Sequence, residues 1–228
     1  MSVFKDLVNI WKSEDSLSQA WNESNDMLHL SHEMFNDAVD ALRSGEKNKV
    51  IKSIKLRDEK INSYHREIRK KVVTYYSVSK DVSNIDSGLV LINIVVDIER
   101  IGDYSKNILD LAKHYPKKFV SEKFSEDLRI IEKSVINRFS TTIKAVENMD
   151  ERIADELIAS YRDDLGKLSD NLVASSISGE VEIGKENKTA SVALYARYLK
   201  RIGAHLKNIT SAVVNPFESI GYNKWVYL

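Results

Sequence analysis

The sequence has no cysteine and, among its 228 residues, only two prolines and eight glycines. The absence of cysteine excludes disulfides, zinc–thiolate sites and thiol catalysis, and it fits a reducing cytoplasm. Proline and glycine are the residues that most often interrupt a helix. Because both are scarce and good helix formers are abundant, the composition predicts long helices with few breaks.

The chain also lacks net charge, with 34 basic and 34 acidic residues. A broad nucleic-acid-binding surface needs positive potential, so the balance argues against a nucleic-acid partner. No run approaches the roughly 18 apolar residues that span a membrane. The first twelve residues, MSVFKDLVNIWK, lack the long apolar core and the small-residue cleavage site of a signal peptide. We therefore expect a cytoplasmic protein.

Apolar residues recur at alternating steps of three and four along most of the chain, and this spacing is typical of amphipathic helices. The predicted helices span 14–43, 46–79, 84–114, 122–149, 151–178 and 186–214. Helices of about 30 residues are roughly 45 Å long and pack as near-antiparallel bundles with short turns. The predicted fold is all-α, with six long helices in two tandem antiparallel three-helix bundles.

The third and sixth helices carry closely similar motifs, about 100 residues apart. DIERIGDYSKNI begins at Asp97, YLKRIGAHLKNI begins at Tyr198, and both contain R-I-G-x-x-x-K-N-I. Two acids of the first copy, Glu99 and Asp103, become Lys200 and an alanine in the second. The chain therefore repeats a helix and keeps its carboxylates in only one copy.

Three acids of the N-terminal half stand at positions that periodicity predicts to be partly buried. Asp58 lies on the apolar seam of the second helix, and Glu99 and Asp103 share one face of the third. Buried carboxylates need a proton, a cationic side chain or a metal ion, and helix bundles are known hosts for carboxylate metal sites. Ion pairs with Arg57 and Arg100 are the alternative to a metal ion.

The two motifs resemble a known family signature. DIERIGDYSKNI closely resembles the signature helix of the PhoU family, which usually reads D-L-E-R-I-G-D-H-A-x-N-I. RYLKRIGAHLKNI is similar to the second signature, R-Y-L-E-R-I-G-D-H-x-x-N-I, and residues 37–72 resemble the passage from the first helix to the second. The resemblance covers roughly residues 14–214. It implies two three-helix bundles related by an internal pseudo-twofold axis.

The resemblance implies a function as well as a fold. PhoU-like proteins are non-catalytic negative regulators of phosphate homeostasis. They restrain a phosphate transporter, of the ABC type or a sodium–phosphate cotransporter, or couple a transporter to a sensor histidine kinase. The resemblance further implies a homodimer that is cytoplasmic or peripheral to the inner face of the membrane.

The resemblance also implies a metal site, because the family's E/D-x-x-x-D motifs bind iron or zinc clusters. In this chain the matching residues are Asp58, Glu99 and Asp103, with Asn62 and Asn107 as weaker candidates. We expect metal in the first repeat only, because the second repeat has lost its signature acids.

In the second repeat, the remnant of the acidic position on the fifth helix is Asp164, with Asp163 as its rival. We hypothesise that this repeat replaced its metal with covalent charge. Lys200 would stand where a cation stood and pair with Asp163 or Asp164.

The domain organisation follows from the repeats and from the two prolines that end similar helices. Residues 1–12 are a predicted amphipathic helix that docks on its own bundle or, alternatively, contacts a transporter or membrane surface. Residues 13–116 and 117–216 are the two predicted bundles, and 217–228 are a predicted aromatic tail that packs on the bundle or on a partner copy.

Two other functions compete with the regulator. One is a metal-free helical adaptor or oligomerising protein, and the other is a carboxylate-bridged metal-bundle enzyme. We do not predict an enzyme, because the chain has no recognisable catalytic triad or phosphate-binding glycine loop. The segment HEMF at His32 also lacks the Glu-x-x-His pairing of di-iron bundles.

Overall fold

The computed structural model describes residues 16–79, 84–115, 125–180 and 188–223, and the regular structure in these ranges is helical. In the N-terminal half, the helices are α1 Ser16–Ser44, α2 Asn48–Lys55, α3 Arg57–Ser79 and α4 Ile85–His114. In the C-terminal half, they are α5 Ser125–Glu147, α6 Glu151–Tyr161, α7 Lys167–Ser178 and α8 Lys188–Val214. The predicted all-α fold with two three-helix bundles is confirmed. The predicted N-terminal helix, residues 1–12, lies outside the described residues.

Two of the six long helices contain a local break that the periodicity did not indicate. The second helix, predicted as 46–79, is divided into α2 and α3 at Leu56, whose side chain is 61% exposed. The fifth helix is divided into α6 and α7 by a π-helical turn, Arg162–Gly166. A π turn inserts an extra residue, so it rotates the side chains that follow it relative to an uninterrupted helix.

The apolar segment at the start of α4 is buried on two sides. α4 packs against α1 and α3 of its own bundle and against α8 of the other bundle. Val90, Leu91, Ile94 and Val95 are all buried in the shared core. The segment LVLINIVV is therefore apolar nearly all round because α4 stands at the centre of the molecule.

Polar contacts between α4 and α8 hold the two repeats together next to the signature motifs. Asp97 Oδ1 lies 2.7 Å from His205 Nδ1 and accepts a hydrogen bond from Asn208 Nδ2 at 3.0 Å. Arg201 Nε donates to the Tyr104 hydroxyl at 3.1 Å. Asp97, the first acid of the DIERIGD motif, thus contacts the second repeat and does not belong to the group formed by the other acids of the first repeat.

Helices α1 and α5 make a second, mostly aromatic contact between the repeats. The Phe35 and Phe139 rings stack with centroids 5.8 Å apart, and the His32 ring lies 4.7 Å from Phe139. Arg43 and Glu132 form an ion pair at 2.9 Å beneath this contact. The two phenylalanines therefore join α1 to α5.

The predicted tail, 217–228, is described only as far as residue 223. Phe217 packs against the core, as expected, whereas Tyr222 is exposed. Asn215 Nδ2 donates to the Ser219 carbonyl at 3.0 Å and fixes the turn after α8. Trp225 and Tyr227 lie outside the described residues. None of the helices in the described ranges combines the length and hydrophobicity needed to cross a membrane.

Two glycines of the second repeat differ in the space around them. A methyl group at Gly203 would overlap the buried Leu165 side chain, whereas one at Gly166 would meet nothing closer than 3.7 Å. We expect Gly203→Ala to lower the free energy of unfolding by about 1–2 kcal/mol, because overpacking outweighs the gain in helix propensity. Gly166→Ala, the matched control, should raise it by up to about 1 kcal/mol. Urea unfolding measures both, and equal effects would contradict the packing described here.

The pH dependence of stability should include a contribution from His32. Burial, with a smaller effect of His29, lowers the pKa of His32 below its ordinary value of 6.5. The unfolded chain therefore takes up a proton near pH 6.5 before the folded chain does, and stability falls as the pH drops. We expect His32→Gln to lose less unfolding free energy than the wild type between pH 7.5 and pH 5. The exposed His114→Gln is the control, and identical pH profiles for all three proteins would refute the assignment.

Candidate functional site

The three predicted acids stand where α3 meets α4. Asp58, on α3, is only 8% exposed although it is a carboxylate. Gly102 of α4 permits the close approach, because a Cβ there would lie 3.5 Å from Asp58 Oδ1 and 3.3 Å from the Ile61 side chain. Glu99 and Asp103 flank this glycine on α4. The absence of a side chain at Gly102 therefore allows α3 to lie close to α4.

The cation at the centre of this site is Lys106. Its Nζ donates to Asp58 Oδ2 at 2.8 Å and lies 2.8 Å from Asp103 Oδ1, so it bridges the two helices. Asn62, a weaker candidate, donates its Nδ2 to the same Asp58 oxygen at 2.8 Å. Lys106 is the first residue of the K-N-I segment of the motif, three residues after Asp103. That spacing on a helix was the signal that could have identified it.

The two arginines proposed as alternative ion-pair partners have different roles. Arg100 reaches Asp103 at 3.1 Å and Glu99 at 3.6 Å, from the exposed side of the site. Arg57 instead pairs with Asp37 of α1 at 2.6 Å and takes no part in the site. Of the two, only Arg100 therefore contributes positive charge near the acids.

The ionisation of the site reflects its burial. Burial, assisted by the carboxylates of Asp103 and Asp58, raises the pKa of Glu99. Burial alone would lower the pKa of Lys106, but hydrogen bonds to Asp103 and Asp58 outweigh it, and the net shift is upward. The ammonium is thus stabilised by its neighbours, whereas the Glu99 carboxylate carries the least well compensated charge of the site.

The oxygen atoms of this site are of the kind that bind a metal ion, but the Lys106 ammonium lies among them. No group of three or more His, Cys, Asp or Glu side chains in the described ranges is arranged to hold a metal ion. Asp58 Oδ1, however, is buried without a hydrogen-bond partner. Carboxylate and amide oxygens are ligands for hard cations. The residues fit a metal ion provided that the Lys106 ammonium moves out of the site.

A polar cleft of about 510 Å³ opens beside the acids. Asn107, the other weaker candidate, lines it together with Asp103 and Lys106. Lys55 and Asp110 form an ion pair across its lining. The cleft connects the acidic site to solvent, so a small ion has a route to Asp103 that does not cross the apolar core.

The predicted pairing in the second repeat is wrong. Lys200 Nζ pairs with Asp170 at 2.5 Å, whereas Asp163 pairs with Lys167 and Asp164 lies 3.6 Å from Arg138. The π turn is the physical reason, since both aspartates belong to it and point away from the signature helix.

The residues that face the second signature glycine, Gly203, are Tyr161 and Leu165. Tyr161 therefore occupies the place that Asp58 has in the first repeat. Lys207, the counterpart of Lys106, lies 5.7 Å from the centre of the Tyr161 ring, and burial lowers its pKa. The second repeat keeps the lysine and replaces its acidic partner by an aromatic face.

The chain matches a known family in both repeats. The sequence profile described as "PhoU domain" matches residues 25–112 and again residues 128–213. The chain belongs to the PhoU family. The two matches agree with the pair of signature helices, α4 and α8, and with the lysines that both PhoU repeats retain.

Two PhoU proteins illustrate the similarity. "Phosphate-specific transport system accessory protein PhoU homolog 1" of Thermotoga maritima is 25% identical over 217 residues, which cover 88% of this chain and 87% of that protein. The crystal structure of PhoU from Pseudomonas aeruginosa superposes with a TM-score of 0.75 at 21% identity, over 87% of this chain and 95% of that one. The second similarity supports the fold.

The two signature lysines provide a matched pair of substitutions. In the presence of a chelator, we expect Lys106→Gln to lower the free energy of unfolding by about 1–3 kcal/mol, because it leaves Asp58 buried without its cation. Lys207→Gln should cost less, because no carboxylate depends on it. Denaturant unfolding of both variants measures the difference. A larger loss for Lys207→Gln would contradict the charge assignment.

Proposed function

We propose that this chain is a non-catalytic accessory protein of phosphate transport that binds and restrains a phosphate transporter. The match of both repeats to the PhoU domain carries the proposal. The named similarity to a phosphate-specific transport accessory protein of Thermotoga maritima supports the choice of transport system. The partner is an ABC-type transporter or a sodium–phosphate cotransporter, and a sensor histidine kinase is a further partner of the same assembly.

The proposed protein is a homodimer in the cytoplasm or at the inner face of the membrane, and it acts as a negative regulator. Its two bundles are joined by polar contacts of α4 with α8 and by aromatic contacts of α1 with α5. A molecule built in this way presents a fixed surface to a partner, and such a surface is what a binding protein needs.

Within this function, we propose that the first repeat binds iron or zinc. Asp58, Glu99 and Asp103 are the ligands, and Asn62 and Asn107 are the additional oxygen donors. The unpartnered Asp58 Oδ1 and the raised pKa of Glu99 support the proposal, since both mark negative charge with too little compensation. A bound metal ion would supply positive charge that joins α3 to α4. The chain's own residues orient the oxygens and, through Lys106, hold the site together without metal.

A metal-free adaptor is the second candidate function, and one observation favours it. Lys106 already makes close contacts with Asp58 and Asp103, so the acids do not require an ion for charge balance. In this alternative, partner binding is the same, but the metal content of the protein has no role in it.

Metal analysis separates the two candidates. We expect elemental analysis of protein purified without chelator to find iron or zinc in the wild type and little in the Glu99→Ala, Asp103→Ala double variant. Lys106→Gln should retain more metal than the wild type, because it removes the competing ammonium. Asp163→Ala with Asp164→Ala is the matched control and should keep wild-type metal. A metal-free wild type would refute the metal site and favour the adaptor.

Affinity capture from the native organism, followed by phosphate uptake measurements, tests the regulator itself. We expect components of a phosphate transporter among the captured proteins and faster uptake in cells that lack this chain. Restoring the wild-type chain should return uptake to its original rate. Unchanged uptake in the deletion strain would overturn the proposed function, whatever else is captured.

A further inference from the structure

The second repeat buries an arginine where the first repeat buries a methionine. Arg138 of α5 is 4% exposed, and it precedes Phe139 as Met34 precedes Phe35. Phe35 and Phe139 each lie ten residues before the residue of positive φ that follows their helix, Gly45 and Met149, so Met34 is the counterpart of Arg138. The second repeat has therefore placed a charge in a position that the fold can fill with an apolar side chain.

The neighbours of Arg138 satisfy only part of its hydrogen-bonding capacity. Its guanidinium donates to the Leu157 carbonyl and, at 2.9 Å, to Ser160 Oγ, and it lies 5.7 Å from the centre of the Tyr161 ring. Nε is buried and has no acceptor among the described residues.

The positive charge of Arg138 has little compensation from nearby negative charge. Asp164 is its ion-pair partner, at 3.6 Å, but more than half of that carboxylate side chain is exposed to water. Burial lowers the pKa of Arg138, so the protein environment disfavours the charge it carries. A buried cation with a single, solvated counter-charge is costly unless another anion approaches it.

A cavity of about 500 Å³ lies beside this arginine, between α5 and the helix formed by α6 and α7. Its lining includes four charged residues, Lys133, Arg138, Asp163 and Asp164, together with Ser134 and Asn137, and the Asp163 carboxylate is paired with Lys167. Lys133 adds a second positive charge, and the hydroxyl and amide groups can donate to an anion. The size falls within the range of small-ligand sites.

We propose that this cavity binds a small oxyanion that still carries a hydrogen, namely orthophosphate or a phosphate monoester in its monohydrogen form. Arg138 and Lys133 supply the positive charge, and the Ser134 hydroxyl supplies a neutral donor. Asp164 selects an anion that still carries a hydrogen. Its carboxylate can lie next to a bound anion only if the anion donates a hydrogen bond to the carboxylate. Sulfate has no such hydrogen at neutral pH.

This inference does not rest on the proposed function or on the acids of the first repeat. The cavity uses none of Asp58, Glu99 and Asp103, and its test needs neither a transporter nor a metal ion. Isothermal titration calorimetry on purified full-length protein, with EDTA present, measures binding of inorganic phosphate directly. Glycerol 3-phosphate and sulfate are titrated under the same conditions.

We expect saturable binding of inorganic phosphate or of glycerol 3-phosphate, and at least tenfold weaker binding of sulfate. Whichever of inorganic phosphate and glycerol 3-phosphate binds with the higher affinity shows whether the ligand is the free anion or the monoester. Arg138→Met, which introduces the residue of the first repeat, should weaken binding about tenfold or more. Lys133→Gln should weaken it about two- to fivefold, and Lys144→Gln, which removes an exposed lysine of α5 outside the cavity, should leave it unchanged.

Asp164→Asn provides a readout that a purely structural arginine would not change. Without the carboxylate, we expect the preference for phosphate over sulfate to fall toward one. Circular dichroism checks that each variant folds. If Arg138→Met does not fold, the affinity of Lys133→Gln for phosphate tests the proposal. Absence of saturable phosphate or phosphate-monoester binding by the wild type would overturn the proposal. Equal affinity of the wild type and Lys133→Gln would also overturn it.

Discussion

The close approach of two helices at a glycine is the constraint on which both repeats depend. Gly102 brings α3 to within contact distance of α4, and this approach leaves the Asp58 carboxylate almost without water. A carboxylate in that position must have a cation, because its desolvation is otherwise uncompensated. Lys106 provides the cation from one helical turn further along α4. The acids of the motif and its lysine therefore form one electrostatic unit in the first repeat.

The second repeat keeps the approach and changes the charge. Gly203 packs against Leu165 and Tyr161, so the backbone geometry does not depend on carboxylates. With Tyr161 in place of an aspartate, Lys207 contacts an aromatic face instead of an oxygen. The glycine and the apolar residues of the frame R-I-G-x-x-x-K-N-I serve helix packing, so this packing does not require the acids. Packing and charge are separable parts of the same motif.

Most of the fold could be predicted from the sequence, because helix periodicity is a local property that repeats over 30 residues. The burial of Asp58 was predictable for the same reason, since it occupies a seam position. The π turn at Arg162–Gly166 was not predictable, because it depends on how the helix formed by α6 and α7 packs against α5 and α8. The assignment of Asp163 and Asp164 as remnants failed at this turn. Arg57 and Arg100 lie next to the acids in the sequence, whereas Lys106 is related to Asp103 only by the spacing of three residues on a helix.

The contacts between the repeats connect the charged site to the uncharged one. Tyr104 follows Asp103 directly, and its hydroxyl accepts a hydrogen bond from Arg201 of α8 at 3.1 Å. Asp97, two residues before Glu99, is held by His205 and Asn208 of α8. Helix α4 is therefore fixed on both sides of its acids by the second repeat. A change of charge between Asp58 and Asp103 therefore acts on the contact between α3 and α4, because α4 has polar partners in the second repeat on both sides of its acids.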